Sequence, residues 1–429
     1  SQTIITFLLG LVDIVSFSIM SRLLSQQDFG YYASIVAVSM IFSSLAENGI
    51  GSAIVQRKRL DYDYVNCAFS MSFIIGTIIT VIMFLTSSII ARFVADASMT
   101  VPLKLYSVTL ICTCVTSVNF ALMQRDLLFF RIGLIKLVSL IITTIVAIVL
   151  ALKGFGYYAI LVKGILASIF SLIISFFAIK VKYKFSVNLK RFSEIWGFSG
   201  WLMASVIFRN LANQIDRLMM SSLFSVTTLG FYSRPKEFIS SISDKINYIF
   251  DSVMFPILSS FQESKQRVQK TFKETLYFFN LGGMLLALLF FFNSELIIRI
   301  FFGEEWIGIK PLFQILSFAP ILNVNGRVGD VFLRSMALTK SQFFFRVAQL
   351  VSSIVFIVLC ARWGIVAVAI AAMTSYFLVT SVKLSYIAKK IEVSFFEMIS
   401  FIIRGNLPFL YYILLISIYP IHGWVILYS

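Results

Sequence analysis

Ionisable side chains inside long apolar stretches are the residues of this sequence that could do chemistry. They are densest between positions 209 and 251 and recur at 327 and 330. One Arg or Asp at the centre of a membrane helix costs about 2.5–3.5 kcal/mol on insertion scales, so such groups face each other, a wet cavity or the headgroup zone. Arg and Lys hold phosphate and carboxylate groups, and their excess here indicates a hydrated cavity that binds an anion.

The candidate residues fall into two chemical sets. On a helix, Glu237, Asp244 and Asp251 share one face, and a polar stripe of this kind cannot face lipid. The structural alternative is ion pairing or snorkelling, which is favoured for the isolated Lys136, Lys163 and Lys383. Lys383 lies near the cytoplasmic end of its span, so snorkelling is predicted for it. The candidate substrate contacts are Arg209, Arg217, Arg234, Lys236, Arg327 and Lys163, and the candidate coupling or charge-balancing carboxylates are Asp216, Asp244, Asp251, Asp330 and Glu47.

Residues suited to catalysis or metal binding are scarce. The sequence has one histidine, His422, and four cysteines that lie in apolar stretches without the spacing of a metal site or a disulfide framework. The sequence therefore offers too few residues for a His/Cys metal cluster or for a mechanism with a histidine general base. We expect no catalytic residue, no metal and no cofactor.

The composition indicates that most of the chain is surrounded by lipid and not by water. Of the 429 residues, 59% are hydrophobic and only 13% are charged, against about 45–50% and about 25% in soluble domains. A soluble fold of this size could not bury so much apolar surface. A soluble enzyme, a nucleic-acid-binding protein and a disordered chain are therefore excluded, and the net charge of +16 belongs to loops or an internal cavity.

Apolar runs of about 20 residues predict 13 to 14 transmembrane spans, and we expect both termini to be trimmed. The predicted bundles are residues 1–180 and 196–390, with a cytoplasmic linker at 181–195 and one or more further helices at 391–429. The predicted spans are 3–23, 30–52, 66–90, 101–123, 132–152, 157–179, 196–223, 229–257, 275–300, 311–334, 345–361, 364–388 and 402–420, with a fourteenth beginning near Trp424.

Basic residues alternate between successive connections. Those after the even-numbered spans up to span 12 hold 19 Lys and Arg, counted with Arg334 and Arg346 at the adjoining span ends, whereas those after the odd-numbered spans up to span 11 hold only 4. The positive-inside rule then places the even connections and the N-terminus in the cytoplasm.

The chain also repeats itself at an offset of 200 residues. The run LSQQDFGYY at 24–32 precedes the second span, and FSVTTLGFY at 224–232 precedes the eighth. Gly30 and Tyr32 thereby align with Gly230 and Tyr232. Six spans per copy is an even number, which predicts two six-helix bundles related by a pseudo-two-fold axis along the membrane normal.

Several segments together resemble a known family. They are RLLSQQDFG at 22–30, ENGIG at 47–51, AIVQR at 53–57, ALMQR at 121–125, NQID at 213–216 and LGFYS at 229–233. In order and spacing they are similar to Wzx-type polysaccharide and O-antigen flippases, the polysaccharide transporter branch of the MOP superfamily that includes MATE- and MurJ-like exporters. The colanic-acid-exporter-like subgroup is the most similar. Gln26 stands where the family usually has proline.

The resemblance implies a transporter of the bacterial cytoplasmic (inner) membrane. Its substrate would be a polyprenyl-diphosphate-linked oligosaccharide repeat unit, moved by alternating access to the outer leaflet for a surface polysaccharide such as O-antigen, capsule or exopolysaccharide. Implied partners are membrane lipids, a polysaccharide polymerase with its assembly proteins, and a coupling proton or sodium ion, but no nucleic acid. Two alternatives remain: an ion-coupled drug or metabolite antiporter of the same superfamily, and a membrane glycan polymerase or ligase.

Overall fold

The computed structural model describes most of the chain. The described residues are 2–44, 50–57, 60–94, 97–179, 181, 183–186, 188, 207–260, 264–336 and 338–418. Across these ranges the chain forms α-helices joined by short turns and 3-10 segments, and no strand occurs within them.

The helices follow the apolar runs of the sequence. Two predicted spans, 275–300 and 311–334, are each covered by two helices with a short break between them. The elements are α1 (Gln2–Leu23), α2 (Gln26–Ser44), α3 (Ile50–Gln56), α4 (Tyr62–Val94), α5 (Thr100–Arg125), α6 (Phe129–Leu152), α7 (Tyr158–Ala178), α8 (207–223), α9 (Val226–Ser260), α10 (Lys265–Phe292), α11 (Ser294–Phe301), α12 (Lys310–Leu316), α13 (Ala319–Ser335), α14 (Thr339–Cys360), α15 (Ile365–Lys390) and α16 (Phe395–Ile418).

Each of the thirteen predicted spans overlaps a helix or a helix pair. Nine helical segments among the described residues are long and apolar enough to cross a membrane. Helix α9 has 35 residues, about 52 Å at 1.5 Å per residue, but its charged side chains keep it out of that set. The predicted fourteenth span and the linker at 189–195 lie outside the described residues.

The helices group into two compact units. The first comprises Ser1–Arg234 with Ile298–Trp306, and the second comprises Pro235–Ile297 with Ile307–Ser429. The predicted bundle boundaries stay a prediction, because the proposed linker falls largely among undescribed residues.

In the first unit, α5 packs against α2, α3, α4 and α7, while α6 packs against α1 and α7. The core between α2, α4, α5 and α7 is apolar and includes Ile35, Met83 and Leu161, which have no exposed surface. Many helix faces elsewhere expose Phe, Ile, Leu and Val. Because lipid tails are as apolar as these side chains, such faces are stable in a bilayer.

In the second unit, α10 packs against α13 and α16, and α15 packs against α13 and α14. Its core centres on Phe272 of α10 and Phe332 of α13, whose ring centroids lie 5.0 Å apart.

The two copies of the sequence repeat adopt the same local structure. Ser25 begins α2 with a hydrogen bond from its hydroxyl to Asp28 and accepts one from the Asp28 backbone N–H. At the start of α9, the Ser225 and Thr228 hydroxyls share a hydrogen bond, and the Thr228 N–H donates to Ser225. Both are N-terminal caps that satisfy backbone donors of the first turn.

These repeated turns also pack directly against each other within the first unit. A Cβ atom at Gly30 would overlap the carbonyl oxygen of Val226, and one at Gly230 would overlap that of Gln26. The contact is reciprocal, because Gln26 and Val226 are themselves 200 residues apart. The repeat therefore marks a local two-fold relation at which the backbones of α2 and α9 touch, and only glycine fits there.

Candidate functional site

A cavity with both polar and apolar side chains in its lining lies inside the first unit. It has a volume of about 730 Å³ and is lined by residues of α2, α3, α5, α6 and α7. Along α5 the lining runs from Tyr106 to Gln124, which is about 27 Å at 1.5 Å per residue. A volume of this size falls in the usual range of ligand sites, about 300–1,000 Å³.

Hydroxyl groups dominate the polar part of this lining. Thr109, Thr113, Thr116 and Ser117 recur on one face of α5, because residues three, four, seven and eight apart share a helix face. The other Ser side chains in the lining come from α2 and α7, namely Ser39, Ser43, Ser168 and Ser171.

Lys136 on α6 is the one Lys or Arg among the described lining residues, which include no Asp or Glu. Its ammonium lies 5.5 Å from the centre of the Phe120 ring. The sequence favoured a structural role for Lys136, either ion pairing or snorkelling, and left it out of the candidate set. The signal that could have found it is the hydroxyl periodicity of α5, which marks a helix face unsuited to lipid.

Lys163 of α7 contacts a different part of the same unit. Its ammonium donates a hydrogen bond to the Ser16 hydroxyl on α1. Thr144 of α6 also lies at hydrogen-bond distance from Ser16, at 3.5 Å. Lys163 is thus placed among polar groups of three helices and next to Gly164, which lines the cavity.

Asp216 and Arg217 on α8 each contact another polar side chain. Buried Asp216 accepts a hydrogen bond of 2.6 Å from the Tyr232 hydroxyl. The Arg217 guanidinium donates to the Gln214 side chain at 3.1 Å, and Gln214 in turn lies 3.0 Å from the sulfur of Met40. Since Met40 lines the cavity, Arg217 is connected to the cavity wall through one side chain.

Arg234 occupies a structural cage. Its guanidinium carbon lies 3.4 Å from the Phe17 ring centre and 4.0 Å from that of Phe29. It donates to the Ser21 hydroxyl and to the Phe17 carbonyl oxygen, and only 5% of the residue is exposed. Cation–π contact and hydrogen bonds hold this guanidinium in the packing of α1, α2 and α9. The geometry favours a structural role over substrate contact.

Trp306 extends the same packing. Its indole N–H donates to the Ser21 carbonyl oxygen at 2.9 Å, and its ring contacts Phe29 and Phe302 edge-on or tilted. Arg22 donates to the Ile300 carbonyl oxygen at 2.8 Å. These contacts fasten the segment Ile298–Trp306 to the end of α1, within the first unit.

The second unit contains a buried ion triad. Asp330 on α13 accepts from Lys383 of α15 at 2.9 Å and forms an ion pair with Arg346 of α14. Lys383 also donates to the Gly326 carbonyl oxygen at 2.8 Å and is 5% exposed. The snorkelling predicted for Lys383 is therefore wrong: its ammonium is buried because Asp330 lies within reach. This placement favours charge balance for Asp330.

The remaining candidates are divided between the two units and the undescribed part of the chain. Arg209 is half-buried in the first unit, whereas Lys236 and Arg327 are half-buried in the second, and all three make polar or ring contacts. Asp244 and Asp251 fall in α9 in a stretch whose side chains lie outside the described structure, and Glu47 lies outside the described residues altogether.

The fold defines a multi-pass helical membrane protein, and its first unit contains a cavity with polar side chains in its lining. The family model described as "Polysaccharide biosynthesis protein" matches residues 19–311, which is more than half of the chain. The chain belongs to this family. The curated lipopolysaccharide biosynthesis protein WzxC of Escherichia coli (strain K12) is 23% identical over 347 residues, which cover 80% of this chain and 70% of that protein.

Solved structures share the fold. The lipid II flippase MurJ in an inward closed conformation superimposes with a TM-score of 0.72 at 15% identity, covering 95% of this chain and 90% of that one. An inward-facing multidrug resistance MATE family transporter of the MOP superfamily gives a TM-score of 0.75 at 12% identity, covering 90% and 94%. The predicted family and the predicted fold class, with its two helical bundles, are confirmed. A further curated relative, the succinoglycan biosynthesis transport protein ExoT of Rhizobium meliloti (strain 1021), is 20% identical over 308 residues, which cover 71% of this chain and 62% of that protein. Its name agrees with the predicted class of transporter.

Proposed function

We propose that this protein is a flippase for a polyprenyl-diphosphate-linked oligosaccharide, the repeat unit of a surface polysaccharide. The observation that carries the proposal is a cavity of about 730 Å³ with a polar lining inside a helical unit whose outer faces are apolar, in a chain of the polysaccharide biosynthesis family. A diphosphate and several sugars cannot cross hydrocarbon unassisted, because their polar groups would lose water without replacement.

The chemistry of the cavity supports this substrate over a cationic drug. Its described lining offers hydroxyl groups, one amide and one ammonium, and no carboxylate. Sugar hydroxyls and an anionic group would find partners there, whereas an organic cation would meet only Lys136 as a charge. A lipid tail requires no polar partner and can stay in the bilayer while the head is enclosed.

The orientation and the membrane belong to the same proposal. The 19-to-4 asymmetry of basic residues supports a cytoplasmic N-terminus in the bacterial inner membrane. Among the cations outside the cavity, Arg327 and Arg217 are retained as candidate contacts for the diphosphate, because a guanidinium binds phosphate bidentately.

A deletion strain tests the proposal. Without this gene, cells are expected to accumulate the complete lipid-linked repeat unit, detected by mass spectrometry of extracted lipids, and to lose surface glycan. The intact gene is expected to remove the accumulated lipid and to restore the surface glycan. Arg327→Ala is expected to do neither at equal expression.

Arg362→Ala is the matched control, because Arg362 lies in the short Ala361–Trp363 turn beside Trp363 and outside the candidate set. An unchanged lipid profile in the deletion strain would contradict the flippase. Accumulation that Arg327→Ala relieves would remove only Arg327 from the candidate contacts.

A further inference from the structure

The Ser and Thr hydroxyl groups of the cavity lining donate their protons to acceptors within the protein. Thr113 donates to the Thr109 carbonyl oxygen and Thr116 to that of Cys112, both at 2.7 Å. Ser39 donates within α2 to the Ile35 carbonyl oxygen at 2.8 Å. A hydroxyl oxygen carries two lone pairs in addition to its proton. What these side chains present to a ligand is therefore acceptor capacity.

This pattern selects the chemistry of the ligand. A surface of acceptors complements a molecule rich in O–H donors, and it disfavours a bare anion, whose oxygens are acceptors only. Thr109, Thr113, Thr116 and Ser117 form a row of hydroxyl groups on α5, which we call the α5 hydroxyl row. Thr109 and Ser117 donate their protons to the carbonyl oxygens of Tyr106 and Cys114, both at 2.7 Å. Sugar hydroxyls are donors of the required kind, spaced along a chain.

Lys136 adds one point of charge to this surface. It is exposed on α6, three residues before buried Ser139, to which the cavity residue Ser171 donates. An ammonium brings three donors and no acceptor, the reverse of the hydroxyl row. An anionic substituent of the ligand would therefore be held at Lys136 and nowhere else along the described lining.

We propose that this cavity in the N-terminal bundle is a saccharide-binding site, in which the α5 hydroxyl row accepts hydrogen bonds from sugar hydroxyls and Lys136 binds an acidic group of the same ligand. The proposal rests on the proposed function and names its binding site. The acidic group is a phosphate of the lipid carrier or the carboxylate of an acidic sugar, and the two are separated by experiment.

Binding to the purified full-length chain in lipid nanodiscs tests the assignment with three probes. They are a polyprenyl diphosphate with a neutral trisaccharide, the same lipid with one uronic acid in place of a hexose, and the lipid without sugar. Thr113→Val removes an acceptor and keeps the shape, so it is expected to weaken both glycolipids about fivefold and the sugar-free lipid not at all. Lys136→Gln is expected to weaken an anionic ligand about 10- to 100-fold, and Lys136→Arg to retain most binding.

Matched controls come from the same bundle. Thr77→Val removes a hydroxyl that donates within α4 to the Phe73 carbonyl oxygen, and Lys104→Gln removes an ammonium 5.1 Å from the Phe84 ring. Neither residue lines the cavity, so both variants are expected to bind like the wild type. Size-exclusion profiles of all variants verify folding.

The outcomes separate the two proposals. Loss confined to the uronic-acid lipid in Lys136→Gln supports the carboxylate, and equal loss with all three probes supports the phosphate. Wild-type binding that neither Thr113→Val nor Lys136→Gln changes would overturn the cavity assignment and leave the flippase intact. A wild-type chain that binds none of the probes and moves no lipid would overturn the proposed function itself.

Discussion

At the scale of single residues, the charges are held in two chemically distinct ways. Arg234 is stacked between rings and bonded to one hydroxyl and one carbonyl oxygen, without a carboxylate in those contacts. Asp330, by contrast, lies between Lys383 and Arg346 and is itself 5% exposed. Buried charges persist only with such partners, because desolvation of an isolated ion costs several kcal/mol.

Removal of the central carboxylate is therefore expected to destabilise the second unit. Asp330→Asn leaves two cations facing each other, and breaking a buried pair typically costs about 3–5 kcal/mol. The measurement is thermal unfolding of the purified protein in detergent. Glu295→Gln is the matched control: its pair with Lys310 is about 40% exposed on both sides, and such pairs contribute at most about 1 kcal/mol. Equal melting of the two variants would contradict the role assigned to the triad.

Two lysines show which side-chain contacts could not be predicted from the sequence. Snorkelling was a sound expectation for a lysine near a helix end such as Lys383, but the outcome depended on Asp330, 53 positions away. Lys136 was set aside as an isolated lysine with a structural role, although the Thr and Ser side chains that line the cavity with it recur on one face of α5. One-dimensional spacing predicts which residues share a helix face. It does not predict which face another helix brings to it.

At the scale of helices, the apolar runs of the sequence were sufficient to predict where the membrane helices lie. Each of the thirteen predicted spans that reach the described residues overlaps a helix or a helix pair, because a run of about 20 apolar residues has few alternatives in a membrane. The breaks were not predicted: α10 ends at Phe292 and α11 begins at Ser294, inside one apolar run. Asn293 there turns its amide to the Leu289 carbonyl oxygen at 2.9 Å, a local bond that competes with the helix.

The repeat at an offset of 200 residues yields the sharpest prediction about helices. Gly→Ala inside a helix normally stabilises it by about 1 kcal/mol. At Gly30 the new Cβ would overlap the Val226 carbonyl oxygen, so Gly30→Ala is expected to reverse that sign and to abolish glycan export. Gly230→Ala should behave alike, since its Cβ would meet the backbone of Gln26.

Gly282→Ala provides the control for this pair. Nothing lies within 4 Å of a Cβ built there, so the substitution is expected to leave export and thermal stability unchanged or improved. Export is measured as surface glycan in the complemented deletion strain, and stability as the melting temperature of the purified chain. Normal export by Gly30→Ala would show that close contact between α2 and α9 is dispensable.

At the scale of the whole molecule, composition decided the class and the residue motifs decided the family. The membrane class followed from 59% hydrophobic residues, and the family from six short segments in a fixed order. The binding site was a harder target, because a cavity is a property of several helices together. Five of the six predicted cations were sought on α8, α9 and α13, and the sixth, Lys163, on α7. The described cavity lies between α2, α3, α5, α6 and α7 and is rich in hydroxyl groups.

Lipid translocation by the purified protein is the decisive measurement for the proposed flippase activity. The chain is reconstituted into liposomes with a polyprenyl-diphosphate oligosaccharide that carries a fluorescent label on its sugar, under an imposed membrane potential and with proton and sodium gradients in turn. A membrane-impermeant reductant quenches the label on the outer leaflet. If the protein is a flippase, quenching is expected to exceed the half expected for a static bilayer in at least one condition, and this excess is expected to require the protein. Quenching that stops at half in every condition, as in liposomes without protein, would contradict the flippase activity.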